Sequence, residues 1–171
     1  MISKKVNEAI NAQINAEMFS SYLYLSMSAW LGQKNLSGFS GWMRVQAQEE
    51  LFHAMKMYDY LIERGGFVEL RTIAEPKTSW ENTYEVIEDV VDHEEKVTGL
   101  INSLVDVAIS EKDHASNIFL QWFVTEQVEE EASVGGVLER MKMIKDDSAG
   151  LFALDMELAK RVFIPPATTA A

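Results

Sequence analysis

Residues 43–57 read MRVQAQEELFHAMKM. Met43 and Met57 lie on an apolar stripe that steps by three and four. The positions between them on that stripe are Gln46, Glu50 and His53. A helix that carries this pattern buries both of its ends and points a carboxylate and an imidazole at the core from its middle. The spacing of three between Glu50 and His53 puts both on one face. Such a helix needs neighbours that answer its polar centre.

The flanking sequence supplies them. From Ser3 to about Leu31 the apolar positions are Val6, Ile10, Ile14, Tyr24, Ser28 and Leu31, with Glu17 in the gap; Gly32 is expected to end this first helix. Ser37 is expected to cap the second helix, which carries Phe39, Met43, Met57 and Leu61 to about Arg64 and stops at Gly65-Gly66. Residues 67–82 have no helical period and contain Pro76, a long connection that needs a structural reason. A third helix is expected over 83–110 with Ile87, Val91, Val97, Ile101, Leu104 and Ala108, interrupted by Glu94. A fourth, capped by Asp113 and running to about Ile144, carries Leu120, Phe123, Val134, Val137 and Met141, interrupted by Gln127 and Glu130. Asp147-Ser148 opens a short fifth helix bearing Leu151, Leu154 and Leu158. Short turns make antiparallel hairpins of helices one and two and of helices three and four, and the long connection can span the bundle. The expected fold is all-α: an antiparallel four-helix bundle with one crossover loop and a short C-terminal helix. Residues 1–164 form one domain in this reading, and 165–171 a flexible tail.

Composition removes many functions. The 171 residues include 15 Lys plus Arg against 27 Asp plus Glu, a net charge of −12, which disfavours nucleic acid as a partner and favours cations. With no cysteine, disulfide scaffolds, thiolate zinc sites, iron–sulfur clusters and cysteine nucleophiles drop out. No apolar stretch follows the start as in a signal peptide, and none reaches a membrane span, so a soluble cytoplasmic protein is expected.

Each long helix thus points a carboxylate inward near its midpoint, and midpoints share a level in an antiparallel bundle. Glu17, Glu50, His53, Glu94, Gln127 and Glu130 are expected to converge. Four buried carboxylates cannot all stay ionised without compensation. No Lys or Arg shares their stripes, so the compensating cations come from outside. Carboxylates with one imidazole suit iron or manganese. Glu50 can bridge two ions, with Glu17 and His53 on one and Glu94 and Glu130 on the other. The competing reading is a structural bundle whose polar core sets register and binds no metal.

At these residues the chain resembles the ferritin family, and within it the bacterial and archaeal non-haem ferritins. The similar segments are Asn15-Ala16-Glu17 with 21–25, Gln48-Glu49-Glu50-Leu51-Phe52-His53-Ala54, His93-Glu94, and 119–131. Ferritin-like folds are themselves a standing example of the one-crossover bundle. The resemblance implies a ferroxidase: ferrous iron is oxidised by dioxygen or peroxide at a dinuclear centre and stored as ferric mineral in a shell of roughly two dozen subunits. By position, Glu17, Glu50 and His53 resemble the first iron site, and Glu50, Glu94 and Glu130 the second, with Gln127 beside it. Glu49, Glu126 and Glu129 match a third iron site that Glu130 can bridge. Gln127 and Glu130 stand where bacterioferritins and rubrerythrins repeat the Glu-x-x-His pattern. Leu51 stands where a haem-ligating methionine occurs in bacterioferritins, so no haem is expected. The alternative is a diiron oxidase or peroxide scavenger that does not store iron.

Tyr24 reads two ways, as a core tyrosine or as a hydrogen-bond or electron donor beside the centre. Trp122 reads as packing, the methionines as packing, and His93 and His114 as ordinary surface histidines. Gly135-Gly136 reads as a bend or a close subunit contact.

Overall fold

The computed structural model describes residues 2–145 and 147–165. Among them are five helices and no strand: α1 (Lys4–Gln33), α2 (Ser37–Glu63), α3 (Thr83–Ser110), α4 (His114–Ile144) and α5 (Ser148–Leu158). Pro165 is exposed, and the rest of the expected tail, 166–171, lies outside the described residues. No helix among the described residues is long and apolar enough to cross a membrane.

Four helix starts are capped by short polar side chains that accept an orphan backbone N–H. Ser3 accepts from Val6, Asn82 from Glu85, Asp113 from Ser116, and Asp147 from Ala149. The α2 start departs from expectation. Ser37 is already helical and Leu36 occupies the cap position without a side-chain bond. The Phe39 N–H is taken instead by Asp155 Oδ1 of α5, at 2.9 Å. A tertiary contact replaces the local cap. Gly38 permits it, since a Cβ there would lie 1.7 Å from the Asp155 carbonyl oxygen. The end of α1 also differs. The helix runs through Gly32, and the left-handed residue of the turn is Asn35 (φ 60°), a residue type that tolerates that region.

The long connection is tied to α1 by side chains spaced one turn apart. Asn7 Nδ2 donates to the Phe67 carbonyl at 3.0 Å. Asn11 Nδ2 donates to the same carbonyl at 2.8 Å, while its Oδ1 accepts from Glu69 N–H at 2.7 Å. Asn15 reaches the Thr72 carbonyl at 3.2 Å, and Ser26 donates to the Lys77 carbonyl at 2.7 Å. From residue 7 to residue 26 is roughly 28 Å of helix at 1.5 Å per residue. The connection therefore travels nearly the length of α1 and delivers α3 to the far end. There Trp80 packs edge-on against Trp30 and donates to Asp89 at 2.7 Å.

The apolar core is divided in two. One cluster, at the Trp30–Trp80 end, includes Tyr24, Met27, Phe39, Met43, Ile87, Val90 and Val134. The other, at the chain's N-terminal end, includes Val6, Ile10, Ile14, Met57, Leu61, Val97, Leu120 and Phe123. On α3 the fully buried residue is Val90 and Val91 is half-buried, which shifts the expected stripe by one position. Steps of four and three from Val90 reach Glu94 and Val97. Helix α4 continues unbroken through Gly135-Gly136, where an added Cβ would meet nothing within the subunit.

Candidate metal centre

Between the two apolar clusters lies a polar layer. Glu17 from α1, Glu50 and His53 from α2, Glu94 from α3, and Gln127 and Glu130 from α4 are all buried. Each occupies the inward position that its helix's three-and-four stepping dictates. One ligand atom each of Glu17, Glu50 and His53 lies within 4.8 Å of the others, and these are the only three such side chains among the described residues to do so. His53 Nδ1 stands 3.6 Å from Glu50 Oε2. The imidazole is walled by Trp122 and Phe123, with ring centroids 5.4 and 5.9 Å away.

Hydrogen bonds across the layer hold its second half. Gln127 Nε2 donates to Glu94 Oε2 at 3.2 Å and is 3.3 Å from Thr98 Oγ1. The Tyr24 hydroxyl donates to Glu94 Oε1. Tyr24 is fully buried, and the acceptor of its hydroxyl is a carboxylate of the acid layer. Gln46 Nε2 donates to Glu130 Oε2 at 2.8 Å, and Gln13 Nε2 donates to Glu17 Oε1 at 2.9 Å. Among the described residues, three buried side-chain oxygens have no partner: Glu17 Oε2 and both oxygens of Glu50. Such oxygens are costly to leave bare and suit a cation.

Electrostatics point the same way. Burial, followed by the neighbouring Glu50 charge, pushes the Glu17 carboxyl well above its usual range. Burial and the charge of Glu94 do the same to Glu50. Glu94 is raised to about 7, by burial first and by Glu130 second. Carboxyls raised in this way release their protons less readily, and a bound cation would favour the ionised form.

The outer acidic set is arranged differently. Glu49 is half-buried, Glu126 is partly covered and Glu129 is exposed, and the three do not converge on a point as the Glu17 group does. Glu49 is turned toward Arg161, whose Nη2 donates to its Oε2 at 2.6 Å; Arg161 also donates to Gln46 Oε1. The sequence places no Lys or Arg on the stripes of these acids, and no buried Lys or Arg is found among the described residues, yet a guanidinium reaches their edge. The charge comes not from a bundle helix but from the segment after α5, which folds back along α2 and sets Phe163 against Phe52.

His93 also differs from the surface histidine expected. It is half-buried, its Nε2 lies 2.8 Å from Ser20 Oγ, and its ring packs edge-on against Tyr24 at 5.7 Å. Burial lowers its pKa to about 4. His114 is exposed, as expected. Trp122 is half-buried, with the Lys56 ammonium 4.4 Å over its ring. Sequence reasoning passed over Gln13 and Gln46 as supporting residues. For Gln13 the signal was its place four residues before Glu17, which it bonds; for Gln46 it was the inward stripe position alone, since its partner Glu130 lies on another helix.

A sequence model of the ferritin-like domain matches residues 7–144. The chain is 48% identical over 161 residues to a bacterial non-heme ferritin of Bacteroides fragilis, covering 94% of this chain and all of that one. It is 39% identical over 155 residues to that of Campylobacter jejuni, covering 91% and 93%. Among solved structures, an open-pore ferritin from the archaeon Archaeoglobus fulgidus superposes with a TM-score of 0.94 at 51% identity, covering 95% of this chain and all of that one. With the family's domain matched over most of its length, and with a four-helix fold that buries an acidic layer at its centre, this chain belongs to the ferritin family.

Proposed function

We propose that the chain is a ferroxidase subunit of an iron-storage shell. The observation that carries this reading is the buried acid layer: four carboxylates from four helices, three of their oxygens unpartnered, and one imidazole among them. Iron fits this donor set, being hard enough for carboxylates and soft enough for imidazole. In this reading Glu17, Glu50 and His53 hold one ferrous ion, and Glu50, Glu94 and Glu130 hold a second, with Gln127 positioning Glu94. Each ferrous ion gives up one electron, and dioxygen or peroxide accepts them. Tyr24 keeps Glu94 oriented through its hydroxyl. Glu49, Glu126 and Glu129, with Glu130, form a third, outer iron site. The single domain spans 1–164. Roughly two dozen copies close into a hollow shell in the cytoplasm, and its acidic inner wall gathers iron for mineral.

Aerobic loading tests the proposal. Metal-free protein is given a large excess of ferrous iron, and the iron that elutes with it on a sizing column is counted. Iron far beyond the two or three ions per subunit that the ligands can hold, in a large particle, supports storage. Two or three per subunit in a small particle would mean a diiron oxidase or peroxide scavenger, and no retained iron a structural bundle.

A further inference from the structure

The segment after α5 places a guanidinium against a glutamate that the proposed outer iron site needs. Arg161 stands three residues beyond the last residue of α5 and folds back to the middle of α2. One of its nitrogens donates to Glu49 Oε2 at 2.6 Å, and another donates to Gln46 Oε1. The Gln46 amide is thereby oriented, so that its Nε2 faces Glu130 Oε2 at 2.8 Å. Arg161 therefore touches one candidate ligand of the outer site directly and a second through a single amide. It is half-buried, and so is Glu49, so the pair is less screened than an exposed one.

We infer that Arg161 is a positioning residue that sets the occupancy of the outer cation site by competing for Glu49. This rests on the reading of Glu49, Glu126 and Glu129 as a third iron site. With the guanidinium in place, the Glu49 charge is balanced by the chain itself and its Oε2 is held by Arg161. A divalent cation binds there only when Arg161 releases Glu49. The same release frees the Gln46 amide and with it one oxygen of Glu130. Arg161 contacts none of Glu17, Glu50, His53 or Glu94 and reaches the inner pair only through the Gln46 amide on Glu130, so the inner ions feel it less than the outer one does. The outer site is thus weaker than the inner pair and gives up its ion readily, and the segment after α5 controls it.

Calorimetric titration of the assembled, metal-free protein with Zn2+, which is redox-inert, tests this. The wild type is expected to show two tighter ions and one weaker ion per subunit. Arg161→Gln is expected to tighten the weaker ion about ten-fold, or 1.4 kcal/mol, with the two tighter ones changed much less. Arg161→Lys, a point charge without the fork, falls between. Glu49→Gln added to Arg161→Gln removes the gain. A melting temperature measured on each variant separates binding from folding. A weaker ion whose affinity is unchanged or reduced in Arg161→Gln would overturn the inference while leaving the outer site standing, and so would a change shared equally by all three ions. Two ions and never a third, in either protein, would overturn the outer site and the role of Arg161 with it.

Discussion

Replacing Glu94 with glutamine gives the acid layer a signed test in the metal-free protein. Glu94 is fully buried, and its carboxyl is pushed from 4.5 to about 7, first by burial and next by the charge of Glu130. In the unfolded chain it titrates at its ordinary value. Between those two pH values the folded protein holds a proton that the unfolded chain has released. Stability therefore falls as pH rises through this window: no penalty exists below it, and the whole penalty is present above it. The gap from 4.5 to about 7, at about 1.36 kcal/mol per pH unit, amounts to about 3 kcal/mol for each subunit. Glutamine removes that penalty. It keeps an acceptor for the Tyr24 hydroxyl, but its amide nitrogen faces Gln127 Nε2, which donates to the wild-type oxygen at 3.2 Å. That lost bond costs about 1 kcal/mol. The variant should therefore be about 2 kcal/mol more stable than wild type at about pH 8, about 1 kcal/mol less stable below about pH 4, and equal to it near about pH 5. For a chain of this size the alkaline gain is about 4–8 °C in melting temperature. Scanning calorimetry of chelator-treated protein across this range reads it directly. Zn2+ should then raise the wild type more than the variant, because binding a cation needs the ionised carboxylate. A variant that melts several degrees below wild type at alkaline pH would refute the reasoning, since Glu94 would then be ionised and satisfied in the folded protein.

Other substitutions probe the remaining links. Glu50→Ala removes the shared ligand and one buried acid, so the fold should persist while the fast phase of ferrous oxidation, followed by absorbance after mixing with air-saturated iron, disappears; unchanged initial kinetics would rule out its bridging role. Gly38→Ala drives a Cβ to 1.7 Å from the Asp155 carbonyl oxygen, so α5 must lift off α2 and expose the Phe39 amide. A loss of about 2–4 kcal/mol follows from overpacking and a lost cap; a wild-type melt with Phe39 still protected from hydrogen exchange would contradict this account of the α2 start. Asn11→Ala strips the Glu69 N–H of its partner and leaves the Phe67 carbonyl with Asn7 alone, for about 1–3 kcal/mol. Faster amide exchange over residues 67–69 is expected, and unaltered exchange would mean that the asparagine ladder does not hold the loop.

Much of the fold and of the centre was legible because both depend on periodicity. Residues that step by three and four share a helix face whatever surrounds them. Glu17, Glu50, His53, Glu94, Gln127 and Glu130 could therefore be assigned to the interior from spacing, and a charge balance over four helices then called for outside cations. Caps read equally well where they are local, as at Asp113 and Asp147, whose side chains bond backbone groups two or three residues away.

What escaped the sequence depends on contacts between distant segments. Asp155 caps α2 from α5, 116 residues on, so Ser37 was credited with a role it does not have. The asparagines at 7, 11 and 15 look like ordinary exposed helix residues until the crossover lies against them. His93 sits one residue from Glu94, about 100° around the helix, and only the approach of α1 turns that direction from solvent into a packed interface with Ser20 and Tyr24. Arg161 follows the last helix, where no period places a side chain, and its partners Gln46 and Glu49 lie 115 and 112 residues away. By itself the sequence determined which residues face inward, because helical geometry is local. The tertiary structure alone decided which charges meet at the rim of the centre, because a chain with no regular repeat can be placed only by what it packs against.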